Sequence, residues 1–196
     1  MTSALRPSLP PWLPDAVADY LLHTATGTPL REIARRRGRH PSTVLRQVRR
    51  FEGRRDDPLV DAALAALCRQ AVPAAQTPSP APEDAMTAQL RPDSFPNDAA
   101  TLAAEARRVL RRLIEPGTVL AVAVDMDRAA VLRTEPGGQQ TRLCVVDRAV
   151  AQAFALKDWI ACDAPGRISA YRVTGAGRAA LRRLLAEEQQ GGRSPR

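Results

Sequence analysis

Apolar residues recur at helical spacing through most of the first seventy positions, with polar residues taking the remaining faces. From about Asp15 to His23, the positions Ala16, Ala18, Tyr20, Leu21 and Leu22 offer a core side, and Trp12 is placed to pack on the start of that helix. In LREIARRRGRHPSTVLRQVRR, from Leu30 to Arg50, the residues Leu30, Ile33 and Ala34 share one face of a short helix. Gly38 falls where a tight turn needs a positive φ, and His40 and Pro41 supply an N-cap and a first helical residue. Val44, Val48 and Phe51 then form the inner face of a second helix. Asp57 and Pro58 open a further helix carrying Leu59, Val60, Ala63, Leu64, Leu67 and Cys68.

Beyond residue 70 the periodicity lapses. The run AVPAAQTPSPAPEDAMTAQLRPDSFPNDAA is rich in Pro and Ala, as expected of an extended flexible linker, the alternative being a long loop packed on one larger domain. Periodicity returns with Leu102, Ala106, Val109, Leu110 and Leu113 on a helix from about Ala99 to Ile114, stopped by Pro116 and Gly117. VLAVAVDM, AAVLRTE and TRLCVVD read as three short strands, the last two separated by the turn at Pro136, Gly137 and Gly138. A helix from about Arg148 to Ile160, a strand in GRISAYRVT and a helix in GAGRAALRRLLAEE complete the pattern. The expected fold is mainly α with a small β component. It comprises a helix-turn-helix bundle at 1–70, a flexible linker at 71–98, a winged-helix-like α+β domain at 99–188 and a disordered tail at 189–196.

The net charge of +8 is unevenly placed: between Arg31 and Arg55, ten arginines face only Glu32 and Glu52. Lys157 is the only lysine, a preference that, with abundant Ala and Pro, reflects a GC-rich coding sequence. Only the placement of charge is therefore informative, and an excess confined to one motif is an electrostatic footprint for phosphate. The outer face of the second helix carries Ser42, Thr43, Arg46, Gln47 and Arg50, and Arg39 and Arg49 flank it, so these seven are the candidate DNA contacts. Thr43, Arg46 and Gln47 are the base-reading candidates, with Arg46 suited to guanine and Gln47 to adenine. Neutralising six phosphates would give log K a slope of about −5 against log salt. The bland alternative is an arginine-rich helical hairpin with a solvated face. Through Gly38, Thr43 and Val44 the stretch resembles the DNA-binding helix-turn-helix of resolvases and some transposases; Arg37 and Arg39 stand where that pattern has apolar residues, and His40 replaces its capping Ser.

Other chemistry has little to build on. No apolar run reaches the length of a membrane span, and the N-terminus lacks a signal-peptide core. Cys68, Cys144 and Cys162 are widely spaced without a CxxC pair and read as buried thiols of a reducing cytoplasm; His23 and His40 are the only histidines, too few for a zinc site. Asp125 and Asp127 are the best catalytic lead, as alternate strand residues that could share a divalent metal, although a lone DxD is more often a turn or cap. No P-loop, dinucleotide-binding glycine pattern or nucleophile elbow is present. The expectation is a cytoplasmic, nucleoid-associated protein that is not an enzyme, with no cofactor and no metal.

Tyr171, Val173, Thr174, Gly177 and Arg178 resemble the wing-to-helix passage of winged-helix regulators, which would make the helix from Arg148 a second recognition element and put Arg167 and Arg172 on the wing, as secondary contacts for nucleic acid or a partner; beyond Arg148 that helix has few polar residues, Gln152, Lys157 and Asp158, so a protein-contacting winged helix is the equal alternative. Over about Trp12 to Glu188, and most closely in DDPLVD, in EPG with the following strand and in AFALKDWI, the chain resembles the gene transfer agent activation factors, GafA-like helix-turn-helix proteins of alphaproteobacteria. That resemblance implies a transcription activator of a phage-like gene cluster. Its N-terminal part would bind promoter DNA, and its C-terminal part would engage RNA polymerase, with the omega subunit as one implied contact. The alternative is an accessory DNA-binding factor of recombination, transposition or packaging without a transcriptional role. A monomeric helix-turn-helix binds weakly, so a homodimer or a helping partner is expected in either case.

Overall fold

The computed structural model describes residues 9–71, 95–96 and 98–191. They form a mixed α+β architecture in which helices dominate. The first four helices are α1 (Asp15–Thr26), α2 (Leu30–Arg37), α3 (Pro41–Glu52) and α4 (Pro58–Ala71). α1 and α2 both pack on α3. Val17, Tyr20, Leu21, Ile33, Ala34, Val44, Val48 and Phe51 fill the space between them. Ala16, Ala18 and Leu22, expected in the core, are only half-buried; Val17 and Asp19 take the inner positions of α1. The α2–α3 turn forms as its residues dictate. Gly38 sits at φ 61 and closes α2 with a bond from its N–H to the Arg35 carbonyl, and the Arg39 N–H reaches Ala34 O at 2.9 Å. His40 then caps α3, its ring accepting from the Ser42 N–H at 3.3 Å, with Pro41 in the first turn.

After residue 98 come α5 (Ala99–Leu113), β1 (Thr118–Ala123), β2 (Arg128–Thr134), β3 (Gln140–Asp147), α6 (Arg148–Leu156), β4 (Ile160–Ala164), β5 (Ile168–Val173) and α7 (Gly175–Gly191). The five strands make one antiparallel sheet in the order β3-β2-β1-β5-β4. Register puts Val131, Leu120 and Tyr171 in one row across three strands and Ala129, Val122 and Ser169 in another, all buried. These rows form the inner face of the sheet; on the alternate positions Ala121, Ala130 and Ala170 are only half-buried.

Every residue of α6 from Ala149 to Leu156 is buried, because the helix contacts strands of the sheet and also packs on α4. This removes the second recognition element expected at Arg148, since a helix enclosed on all sides presents nothing to a DNA groove. A second correction concerns its end. α6 stops at Leu156, and Ile160, expected as its last residue, begins β4, a strand that periodicity did not reveal. The Asp158 N–H bonds to Ala155 O at 3.0 Å and the Trp159 N–H to Phe154 O at 2.9 Å, with Asp158 in the left-handed region at φ 57. This is the helix stop that glycine normally marks, here made by an Asp. α7 also runs past the expected boundary at 188, to Gly191; residues 192–196 of the expected tail lie outside the described residues.

The two halves share one hydrophobic core. The Tyr171 hydroxyl, fully buried, donates to Asp57 Oδ1 at 2.8 Å and accepts from the Leu59 N–H at 3.1 Å, joining β5 to the start of α4. Lys157 Nζ donates to the Trp12 carbonyl at 2.9 Å. Most of the expected linker lies outside the described residues, but within it Phe95 and Pro96 are buried: Phe95 packs on Trp12 at 5.7 Å between ring centroids, and Trp12 Nε1 donates to Pro96 O at 2.7 Å. No helix among the described residues is long and apolar enough to cross a membrane.

Candidate nucleic-acid interface

At 100° per residue, α3 divides cleanly. Val44, Val48 and Phe51 point inward, and Ser42, Arg46, Arg49 and Arg50 spread over the opposite face, with Thr43 and Gln47 at the boundary. Ser42 is exposed and its hydroxyl lies 2.8 Å from the His40 ring, so the capping residue also orients the first side chain of the outer face. Thr43 is half-buried. Arg46 and Arg49 are exposed with no ion-pair or hydrogen-bond partner among the described residues. Gln47 is half-buried and its Oε1 is enclosed without a hydrogen-bond partner, so its amide is turned partly away from the surface it was expected to read.

Apart from Arg31, the remaining arginines of this region are not free. Arg37 Nε reaches Asp19 at 2.9 Å, and Arg39 reaches Asp15 at 2.7 Å and Asp19 at 3.4 Å. Asp19 is fully buried, and burial pushes its carboxyl above the usual range even though Arg37 and Arg39 pull it down. Asp15 and Asp19 lie one helical turn apart on α1 and so present two carboxylates to these arginines. That pairing explains why Arg37 and Arg39 occupy positions where the related motif is apolar: their heads bind the supporting helix. Arg39 is thus a structural contact of α1 and not a free one for phosphate. Arg35 and Arg36 both pair with Glu32, whose carboxyl is held below its ordinary value chiefly by the Arg36 hydrogen bond. Arg55 pairs with Asp61 at 2.7 Å.

Arg50 and Arg54 pair with a carboxylate from the other half of the chain, Asp158. Arg54 is the more tightly held. It lies 2.6 Å from Asp158 Oδ1, donates to Ala155 O at 2.8 Å, and stands over the Phe51 ring at 5.6 Å. Arg50, 58% exposed, has Asp158 as its only partner among the described residues. Of the ten arginines between Arg31 and Arg55, only Arg31, Arg46 and Arg49 are left without a partner among the described residues. The positive footprint is therefore narrower than the linear sequence indicated, and it centres on α3.

The other expected sites are dispersed. Arg167 is exposed before β5, and Arg172 is exposed but paired with Asp163 at 2.8 Å. Asp125 and Asp127 do not alternate along a strand; they lie exposed in the β1–β2 loop, where the carbonyls of Val124 and Met126, with that of Ala123 at the end of β1, accept from Arg148. Among the described residues no three His, Cys, Asp or Glu side chains cluster as metal ligands would. Cys68, Cys144 and Cys162 are unpaired and half-buried, not fully buried as expected, and burial raises the Cys144 and Cys162 thiols. Thr174 caps α7, its Oγ1 accepting from the Gly177 N–H at 3.0 Å, and Gly177 is required because a Cβ there would collide with the Trp159 carbonyl. That junction accounts for the Thr-x-x-Gly series as the cap between β5 and α7.

Sequence reasoning missed Asp15, Asp19 and Asp158, the carboxylates that decide which arginines stay free. For the first two a signal existed in their spacing of four on a helix; for Asp158, 108 positions from Arg50, none did. Comparison with protein-family models, with curated proteins and with solved structures finds no match, so the chemistry of this face has to be read from its own geometry.

Proposed function

We propose that the chain is a sequence-specific DNA-binding transcription regulator in which α2 and α3 act as a helix-turn-helix and α3 enters the major groove. One observation carries the reading: Arg46 and Arg49 stand exposed and without a partner among the described residues, on the face of α3 opposite its core side, while the neighbouring arginines are neutralised by carboxylates. Arg46 and Arg49 are three residues apart on α3, so both can meet one duplex surface together. Arg46, at the centre of that face, takes the base-reading role, with Ser42 and Thr43 near the N-terminal end that reaches base edges first. Arg49 and Arg31 take phosphate. The resemblance to gene transfer agent activation factors supports activation as the sign of regulation, with the β-sheet half turned toward polymerase or a co-regulator. Because that half shares a core with the reading helices, it would meet such a partner as part of one body and not as a tethered module.

Selection of bound duplexes from a random pool by the full chain tests the reading. A consensus is expected, and Arg46→Ala should relax one base position at a cost of roughly 1–3 kcal/mol. Equal loss on all sequences would make Arg46 a phosphate contact, and absence of any duplex binding would overturn the proposal. Occupancy mapping with transcript levels then separates an activator from an accessory factor, which would occupy its sites without changing transcription.

A further inference from the structure

We propose that Asp158 is a built-in competitor for DNA phosphate: it holds Arg50 of the reading helix in an internal ion pair and thereby sets the affinity of the α3 face. The inference rests on the DNA-binding reading above. Asp158 is the only non-glycine residue at positive φ among the described residues, in a turn that glycine would make without strain. An L-residue with a Cβ is strained in this backbone, less so for Asp and Asn than for others. The turn alone therefore does not ask for Asp. What Asp adds is a carboxylate that reaches both Arg50 and Arg54.

The two arginines are held differently. Arg54, 20% exposed, keeps the Ala155 carbonyl and the Phe51 ring if the carboxylate is lost, so it remains part of the junction between the halves. Arg50 keeps nothing, and its place on α3 puts it on the flank of the face that carries Arg46 and Arg49. A carboxylate pairing with a guanidinium uses the same donors that a phosphate would use. While Asp158 is charged and in place, Arg50 adds no counterion release on DNA binding. Once Asp158 is neutralised or drawn away, Arg50 becomes one more phosphate contact. Asp158 is anchored in the C-terminal half, its carbonyl accepting from Thr174 Oγ1 at the start of α7, so whatever displaces that turn also changes the grip on DNA.

Asp158→Asn keeps the left-handed backbone and the side-chain shape while removing the charge. Asp158→Gly removes the side chain and relieves the backbone, so at least one of the two is expected to fold as the parent does, checked by thermal unfolding. The assay is fluorescence anisotropy of the full chain on one labelled duplex over a salt series. Both variants should steepen the slope of log K against log salt by about 0.9, equivalent to about eightfold tighter binding at 0.1 M salt. Arg50→Ala should abolish that gain in the Asp158→Asn background and leave the parental slope unchanged. If Arg50→Ala alone flattens the parental slope by about 0.9, Arg50 already lies on phosphate and the proposal is overturned. An unchanged slope in folded Asp158→Asn overturns it equally, whereas failure of every variant and of the parent to bind duplex DNA rejects the DNA-binding reading itself.

Discussion

Replacing Tyr171 by Phe deletes one oxygen from the junction between the helical half and the sheet. Tyr171 is fully buried, and burial with the nearby Asp57 carboxylate holds its phenol well above the ordinary value, so it is an O–H donor at neutral pH. Its hydroxyl bonds to Asp57 Oδ1 at 2.8 Å, and the Leu59 N–H that it accepts at 3.1 Å retains Asp57 Oδ1 at 3.0 Å after the change. The loss is therefore one buried hydrogen bond to a carboxylate and the Tyr171 share of the Leu59 N–H bond, with no orphaned backbone donor and almost no change in shape. Such a bond contributes about 1.5–3 kcal/mol. In a chain of this size a loss near 2 kcal/mol lowers Tm by about 4–8 °C. Urea and thermal unfolding, followed by far-UV dichroism and by the fluorescence of Trp12 and Trp159, should show this loss in a single coincident transition. Trp12 reports on the N-terminal half and Trp159 on the C-terminal half. A loss below about 0.5 kcal/mol would refute the buried bond, and two separated transitions would refute the shared core.

Salt dependence gives a second measurement. With Arg31, Arg46 and Arg49 as the unpartnered cations of the region, log K should fall with log salt at a slope of about −2.7, against about −9 if all ten arginines met phosphate. Asp19→Asn replaces one of the two oxygens that accept from Arg37 and Arg39 with an amide donor and should cost roughly 1–3 kcal/mol in chemical denaturation. Because burial raises the Asp19 carboxyl in the fold, the unfolded chain loses this proton first as pH rises, and the wild type's advantage is greatest below the unfolded value. The deficit of Asp19→Asn should accordingly shrink as pH rises above about 4; a deficit that grows with pH would mean that ion pairing outweighs burial. Gly177→Ala drives a methyl into the Trp159 carbonyl and should cost roughly 1–3 kcal/mol or more. Gly38→Ala meets no atom within 4 Å, and only the cost of its positive φ, about 1 kcal/mol, is expected. Equal losses in the two alanine variants would contradict this distinction between steric and backbone causes.

Local pattern sufficed for most of the elements. The periodicity of Leu102, Ala106, Val109, Leu110 and Leu113 forces one buried face on α5, and Gly38, His40 and Pro41 carry the turn into α3, because caps and turns depend on residues a few positions apart. The end of α6 was not legible in this way, since Asp158 is a weaker mark of a left-handed stop than glycine and Trp159 and Ile160 continue an apolar pattern. Enclosure of α6 was equally hidden: apolar residues all round a helix say that it is buried, but not that α4 covers it.

The amino-acid sequence by itself determined where positive charge is concentrated and which residues of α3 face away from its core, because both are properties of neighbours along one helix. Only the tertiary structure decided which of those charges remain available. Asp15 and Asp19 reach Arg37 and Arg39 across the packing of α1 beside the α2–α3 turn, and Asp158 reaches Arg50 across more than half the chain. Ion pairing falls off steeply with distance through space and is indifferent to separation along the chain. The electrostatics of the candidate DNA face are therefore set by folding, although its location is written in a single helix.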